Sequence, residues 1–147
     1  MNYRSLAIAA VAAWVVDSIY GFLVFGLALN SEFARYPGVF RSFEAVSSML
    51  PLMFGSSLVG FLLLAYIFAK GHEGKPGLQE GMRFGVVFGL FMLFAMAIPQ
   101  YVVFNYGRRL AAETAVAGFI ESFIVATVLG VVYKPTAAPA RRPAVGV

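Results

Sequence analysis

An all-α transmembrane four-helix bundle, running up-down-up-down, is the fold this chain predicts, and three observations carry the prediction. Hydrophobic residues make up 61% of the 147 residues and charged residues 12%, where a soluble domain has about 45–50% and about 25%. The apolar residues fall into four runs of spanning length. The charges collect in the short stretches between those runs and at the two ends.

The first span is Ser5–Leu29, broken only by Asp17, Ser18 and glycines. Arg4 and the Ala-rich Ala7–Ala13 stretch resemble the start of a signal peptide, but the run continues well past Ala13 with no convincing cleavage site. The first loop, Asn30–Ser48, places Val39, Phe40, Phe43 and Val46 at near-helical spacing behind the Pro37–Gly38 turn signal. Two readings fit: a short amphipathic helix on the membrane surface, or an early start to the second helix, kinked at Pro51.

The second span is Met49–Ala69, with Gly55, Ser56, Ser57 and Gly60 as a small-residue face. Lys70–Arg83 is a charged connector with its turn at Pro76–Gly77. The third span, Phe84–Val103, contains Pro99, which would kink it and free a carbonyl near Ala95. A polar link, Asn105–Glu113, leads to the fourth span, Thr114–Tyr133, interrupted by Glu121. Residues 1–134 thus form one transmembrane domain, and 135–147, with three prolines, Arg141 and Arg142, read as an extended or disordered tail.

Four spans put both termini and the Lys70–Arg83 connector on one side. That side carries seven basic residues (Arg4, Lys70, Lys75, Arg83, Lys134, Arg141, Arg142), and the other four (Arg35, Arg41, Arg108, Arg109). The positive-inside rule places both termini in the cytoplasm.

Two acids lie inside the spans. Asp17 is 13 residues after Arg4 and Glu121 is 13 residues before Lys134, so both sit ~20 Å from the same face. Ser57 is 13 residues before Lys70. Counting from Arg83, the third span reaches that depth at Met96, with Gln100 one turn beyond. A polar layer of Asp17, Ser56 or Ser57, Gln100 and Glu121 follows, with Tyr20 one turn from Asp17. Carboxyls at membrane depth are costly and mark functional candidates. A facing pair that shares a proton makes a proton relay or cation site. The alternatives are neutral acids hydrogen-bonded in a packed bundle, or pairing with a partner subunit.

Gly77, Gly81, Gly85 and Gly89 recur every four residues and form a bare ridge on one helix face. The ridge reads as a helix-packing device, with Gly81, Gly85 and Gly89 as its membrane part and Ser56 and Gly60 as a small-residue pair able to oppose it. A mobile hinge is the other reading. Phe84, Phe88, Phe91 and Phe94 follow helical spacing, which suits lipid contact or packing better than a pigment or quinone site. Trp14 and Tyr20 flank Asp17 as a candidate cation cage. His72 reads as a solvated surface residue, and Arg108–Arg109 as a headgroup anchor.

The chain has no cysteine and one histidine, which removes disulfides, thiolate metal sites and multi-His centres within one chain. No nucleophile motif, phosphate loop or dinucleotide fingerprint is present, nor a lipid-modification signal. No cofactor, metal or nucleic-acid partner is expected, and no enzymatic activity.

The stretch Ala65–Leu90, AYIFAKGHEGKPGLQEGMRFGVVFGL, resembles the central region of an uncharacterised family of small bacterial four-span inner-membrane proteins. In that family a KG-x-EG step ends one helix and GL-x-EG-x-RFG opens the next. Here Lys70, Gly71, Glu73, Gly74, Gly77, Leu78, Glu80, Gly81, Arg83, Phe84 and Gly85 match, and Gly130–Pro135 is similar to the closing segment. The resemblance covers about a third of the chain. It implies the four-span architecture and a bacterial inner membrane, and carries no activity.

The sequence therefore favours a non-catalytic membrane protein that works by packing, as a homo-oligomer or an accessory subunit of a larger complex. A small proton- or cation-coupled transporter using Asp17 and Glu121 is the runner-up.

Overall fold

The computed structural model describes residues 1–135; the proline- and arginine-containing tail from 136 onward lies outside the described residues. Four helices are long and apolar enough to cross a membrane: α1 (Tyr3–Ala28), α4 (Leu50–Lys70), α5 (Gly77–Val103) and α6 (Arg108–Val132). Two short helices, α2 (Asn30–Phe33) and α3 (Phe43–Ser47), lie in the loop after α1. That loop resolves the two readings in part. Ser42 caps α3 by accepting from the Ala45 N–H, and Met49 separates α3 from α4. Phe43–Ser47 is thus a short helix of its own and not an early start to α4.

The spanning helices form a bundle in the spatial order α4–α1–α6–α5. α1 packs against α4 and α6, and α5 packs along α6. α4 and α5 do not pack along their length. They meet near their connector, where the Phe68 and Phe84 rings lie 5.4 Å apart. The Lys134 N–H donates to Ser5 Oγ at 2.7 Å, so the first and last helices end together with the α4–α5 connector. This is the terminal end; the opposite one is the loop end.

The core lies toward the terminal end. Ala9, Ala10 and Ala13 of α1 are fully buried and pack with Ala65, Phe68, Val125, Leu129 and Tyr133. Alanines let α1 sit close to both neighbours, which van der Waals packing in lipid rewards. On their outer faces the helices expose Ile8, Val15, Ile19, Leu63, Val87, Phe91 and Val116, the surface a bilayer covers.

The glycine ridge packs on α6. A Cβ on Gly81 would lie 2.7 Å from the Ala126 carbonyl oxygen, and one on Gly89 would lie 2.8 Å from the Phe119 ring. Gly85 faces Phe123, and Gly77 and Gly130 touch backbone to backbone. Two expectations need correcting. Gly77 is a packing residue as well as a turn residue, because α5 starts at Gly77 and not at Phe84. Ser56 and Gly60 do not oppose the ridge: Ser56 is exposed, and a Cβ on Gly60 would meet nothing within 4 Å.

The connector is held by Glu80, which is buried. Its carboxylate accepts from the backbone N–H groups of Glu73 (2.9 Å) and Lys75 (3.1 Å) and from Arg83 (3.0 Å). Arg83 also pairs with Glu73, as does Lys75. The Arg83 guanidinium holds the Glu73 carboxyl below the usual carboxylate range, with Lys75 adding to the effect. His72 is tied in: its Nδ1 accepts from the Gly74 N–H at 2.9 Å, and its ring meets Phe68 and Tyr133 edge-on.

Toward the loop end the helices loosen. α1 widens into π-turns over Phe22–Ala28 and α5 over Leu93–Ala97, with no buried residue in either segment. In α5 the wide turns lie just ahead of Pro99, whose ring would clash with the carbonyl one turn earlier in a regular α-helix.

Candidate functional site

Asp17 on α1 and Glu121 on α6 come together as walls of one cleft. The antiparallel register of α1 and α6 produces this, with Ser5 beside Lys134 at one end and Tyr20 beside Ala117 toward the other. Glu121 is 13 residues from Arg108 and 13 from Lys134, which sets it at mid-membrane. A carboxylate only accepts, so a hydrogen bond between two carboxyls requires a proton on one of them. Two carboxyls brought together at this depth can hold a proton between them.

The pair lines a cleft of about 390 Å³ that runs between α4 and α5. Its walls are apolar: Phe61, Leu64 and Ile67 from α4, Phe88 and Met92 from α5, and Val125 from α6. Ser57 and Ser122 add hydroxyls at the floor. The cleft exists because α4 and α5 lack mutual packing. Toward the terminal end Phe68 packs edge-on against Phe84 and Tyr133. A concave apolar site with a few convergent polar groups has the general form of a ligand site.

The other expected members of the layer divide. Ser57 lies in the cleft and accepts a hydrogen bond from Trp14 Nε1 at 2.9 Å. Ser56 does not lie there; its hydroxyl donates back to the Met53 carbonyl. Tyr20 donates to the Ala117 carbonyl at 2.9 Å, one turn from Glu121. Trp14 and Tyr20 thus spend their polar ends on Ser57 and Ala117 and form no cage around Asp17.

Gln100 is not in the layer. It lines a second, outer cavity of about 490 Å³ at the loop end, with Phe25, Phe33, Phe40, Tyr106 and Thr114 among its walls. Counting depth from Arg83 misplaced it, because α5 is already helical from Gly77, and Gly85 and Gly89 lie level with Phe123 and Phe119. Glu121 is therefore level with the Gly85–Gly89 turn. Gln100 lies 11 residues beyond Gly89, or ~16 Å.

Sequence reasoning missed several residues. Gly130 and Ala126 form a small-xxx-small pair on the fourth span, a signal legible beside the ridge it meets. Ser122 next to Glu121 was equally available. Glu80 was visible only as part of the resemblance, although the Glu80–Arg83 spacing favours an ion pair on one helix face. Glu113 carries a buried Oε2 without a hydrogen-bond partner, which no sequence pattern announces.

Among the described residues no three His, Cys, Asp or Glu side chains converge to hold a metal ion. The four apolar spans define an integral membrane protein. No protein-family model, curated protein or solved structure matches the chain, so its functional reading rests on the site itself.

Proposed function

We propose that this protein is a small proton-coupled carrier that binds a lipophilic cation in the cleft between α4 and α5. The single observation that supports the reading most is the Asp17–Glu121 pair on the floor of that cleft. The sequence alone favours a packing role, and bringing the two acids together on an accessible surface reverses that order. Two carboxyls that share one proton provide a net charge of −1. A cation entering from the bilayer finds apolar walls for its body and this charge for its head. Its arrival favours release of the shared proton, because the two positive charges compete for the same oxygens. The resemblance of Ala65–Leu90 supports a bacterial inner membrane, the distribution of Arg and Lys supports cytoplasmic termini, and the role is non-enzymatic.

The test uses purified protein in liposomes with an imposed pH gradient and tetraphenylphosphonium as the probe. The wild type is expected to move the probe against the proton gradient, and Asp17→Asn and Glu121→Gln are not. Movement unchanged in both variants would sink the reading.

One observation favours a second reading, that of a homo-oligomer or accessory subunit. α4 leaves Gly55, Ser56 and Gly60 on open surface beside the cleft, and a partner helix could seat there. Co-purification of a stable partner in mild detergent, with the cleft blocked to the probe, would select it.

A further inference from the structure

We propose that the groove between α1 and α6 at the terminal end holds an anionic phospholipid, with Arg4 and Lys134 gripping its phosphate. This site is separate from the acid cleft and does not depend on the carrier reading.

The groove has a volume of about 400 Å³ and is lined by Arg4, Ser5 and Ile8 on one side and by Val131 and Lys134 on the other, with Asn2 at its mouth. Its two rims are tied together. The Lys134 N–H donates to Ser5 Oγ at 2.7 Å, and the Ser5 N–H donates to Asn2 Oδ1 at 3.1 Å. Two cations from opposite ends of the described chain are thereby brought to one opening.

These two cations differ from the others at that end. Arg83 pairs with Glu73 and Glu80, and Lys75 pairs with Glu73. Lys70 lies over the Tyr66 ring, 5.6 Å from its centroid. Among the described residues Arg4 and Lys134 have neither an acidic nor an aromatic partner, and no acid lines their groove. The sequence accounts for this, since Met1–Val16 contain no Asp or Glu and none follows Glu121. The rim is left with an unbalanced positive charge, beside the Ser5 hydroxyl and the Asn2 side-chain amide as further donors.

The inner part of the groove is apolar. Ile8 lies one turn deeper than Arg4 on the same face of α1, ~6 Å along the axis. Val131 lies deeper than Lys134 on α6, and both apolar side chains are more than half exposed. A basic rim above apolar side chains, between two spanning helices, matches a phosphodiester headgroup with its acyl chain below. A free phosphate or an acidic peptide would match the rim and leave Ile8 and Val131 without a partner.

The experiment is a native mass spectrometry titration of the full chain in neutral detergent, with dioleoylphosphatidylglycerol and dioleoylphosphatidylcholine as the probes. The wild type is expected to favour the anionic lipid by roughly thirtyfold, at about fivefold for each cation. Arg4→Gln and Lys134→Gln are each expected to lose about fivefold, and the double variant to bind the two lipids equally. Lys134→Gln keeps the backbone N–H that bonds Ser5. Lys70→Gln combined with Lys75→Gln removes the same charge from the same end and is expected to keep the wild-type preference. Inorganic phosphate in large excess is expected not to displace the lipid. Equal binding of both lipids by the wild type, a preference that persists in the Arg4→Gln, Lys134→Gln variant, an equal loss in the Lys70, Lys75 variant, or displacement by phosphate would each overturn the site. None of these outcomes bears on proton-driven movement of the cation probe.

Discussion

Asp17 on α1 and Glu121 on α6 line the same cleft from two packed helices at the middle of the bundle. Asp17→Asn keeps a donor for Glu121 and a side chain of the same shape, but removes one proton site. Its stability is expected within about 1 kcal/mol of wild type, measured by thermal unfolding in detergent, with proton-driven probe movement lost. Asp17→Leu fills the space without a donor and leaves Glu121 unpaired at membrane depth. It is expected to cost about 3 kcal/mol or more. Equal stability of the two variants would show that the pair makes no contact of consequence.

The α5–α6 contact depends on missing side chains. A Cβ on Gly130 would lie 2.6 Å from the Gly81 backbone, and one on Gly81 2.7 Å from the Ala126 carbonyl. Backbone cannot yield as a flexible side chain does, so Gly130→Ala and Gly81→Ala are each expected to destabilise by roughly 1–3 kcal/mol. Gly60→Ala meets nothing within 4 Å, and is expected to be neutral or to stabilise by a few tenths of a kcal/mol through helix propensity. Denaturant unfolding of the three variants measures this; a Gly130→Ala as stable as Gly60→Ala would contradict the packing.

Glu80 clamps the connector through two backbone N–H groups and Arg83. Glu80→Ala leaves those donors unpaired at a cost of about 2–3 kcal/mol. A glutamate-specific protease is expected to cleave after Glu73 in the variant much faster than in wild type. Glu73 gives this region a pH dependence. Its carboxyl is held low by Arg83 and then by Lys75, so its contribution is present above the usual carboxylate range and is lost as pH falls through the folded value. The stability gap between wild type and Glu73→Gln is expected to shrink on acidification below about pH 4. A gap that widens there would reverse the sign and the assignment.

The chain's single tryptophan is a reporter at the cleft floor, because Trp14 Nε1 donates to Ser57 Oγ. Ser57→Ala removes the acceptor, costs about 1 kcal/mol and is expected to shift the emission to shorter wavelength. Ser56→Ala, whose hydroxyl bonds only its own helix, is expected to leave emission unchanged. Identical spectra for the two variants would place Trp14 elsewhere.

Much of this architecture was legible in the chain, since a hydrocarbon solvent demands long apolar runs and little else forms them. The bounds were less so. α5 and α6 begin at Gly77 and Arg108, well before the apolar runs Phe84–Val103 and Thr114–Tyr133. Hydropathy registers the hydrocarbon region, while the helix continues through charged turns outside it. That offset moved Gln100 away from the acids. For Asp17 and Glu121 the depth was readable by counting from Arg4 and Lys134, because both helices run the full distance. Their facing depends on helix rotation, which counting does not give. The α4–α5 gap was not readable at all, since Ser56 and Gly60 look like a packing face until α5 is seen to choose Gly130 and Ala126.

The central claim is that Asp17 and Glu121 share one proton. Infrared difference spectroscopy of the purified protein at neutral pH tests it directly through the C=O stretch of a protonated carboxylic acid. The wild type is predicted to show one such band that downshifts in deuterium oxide and disappears in the Asp17→Asn, Glu121→Gln double variant. A wild type without the band, or a band that persists in the double variant, would contradict the shared proton.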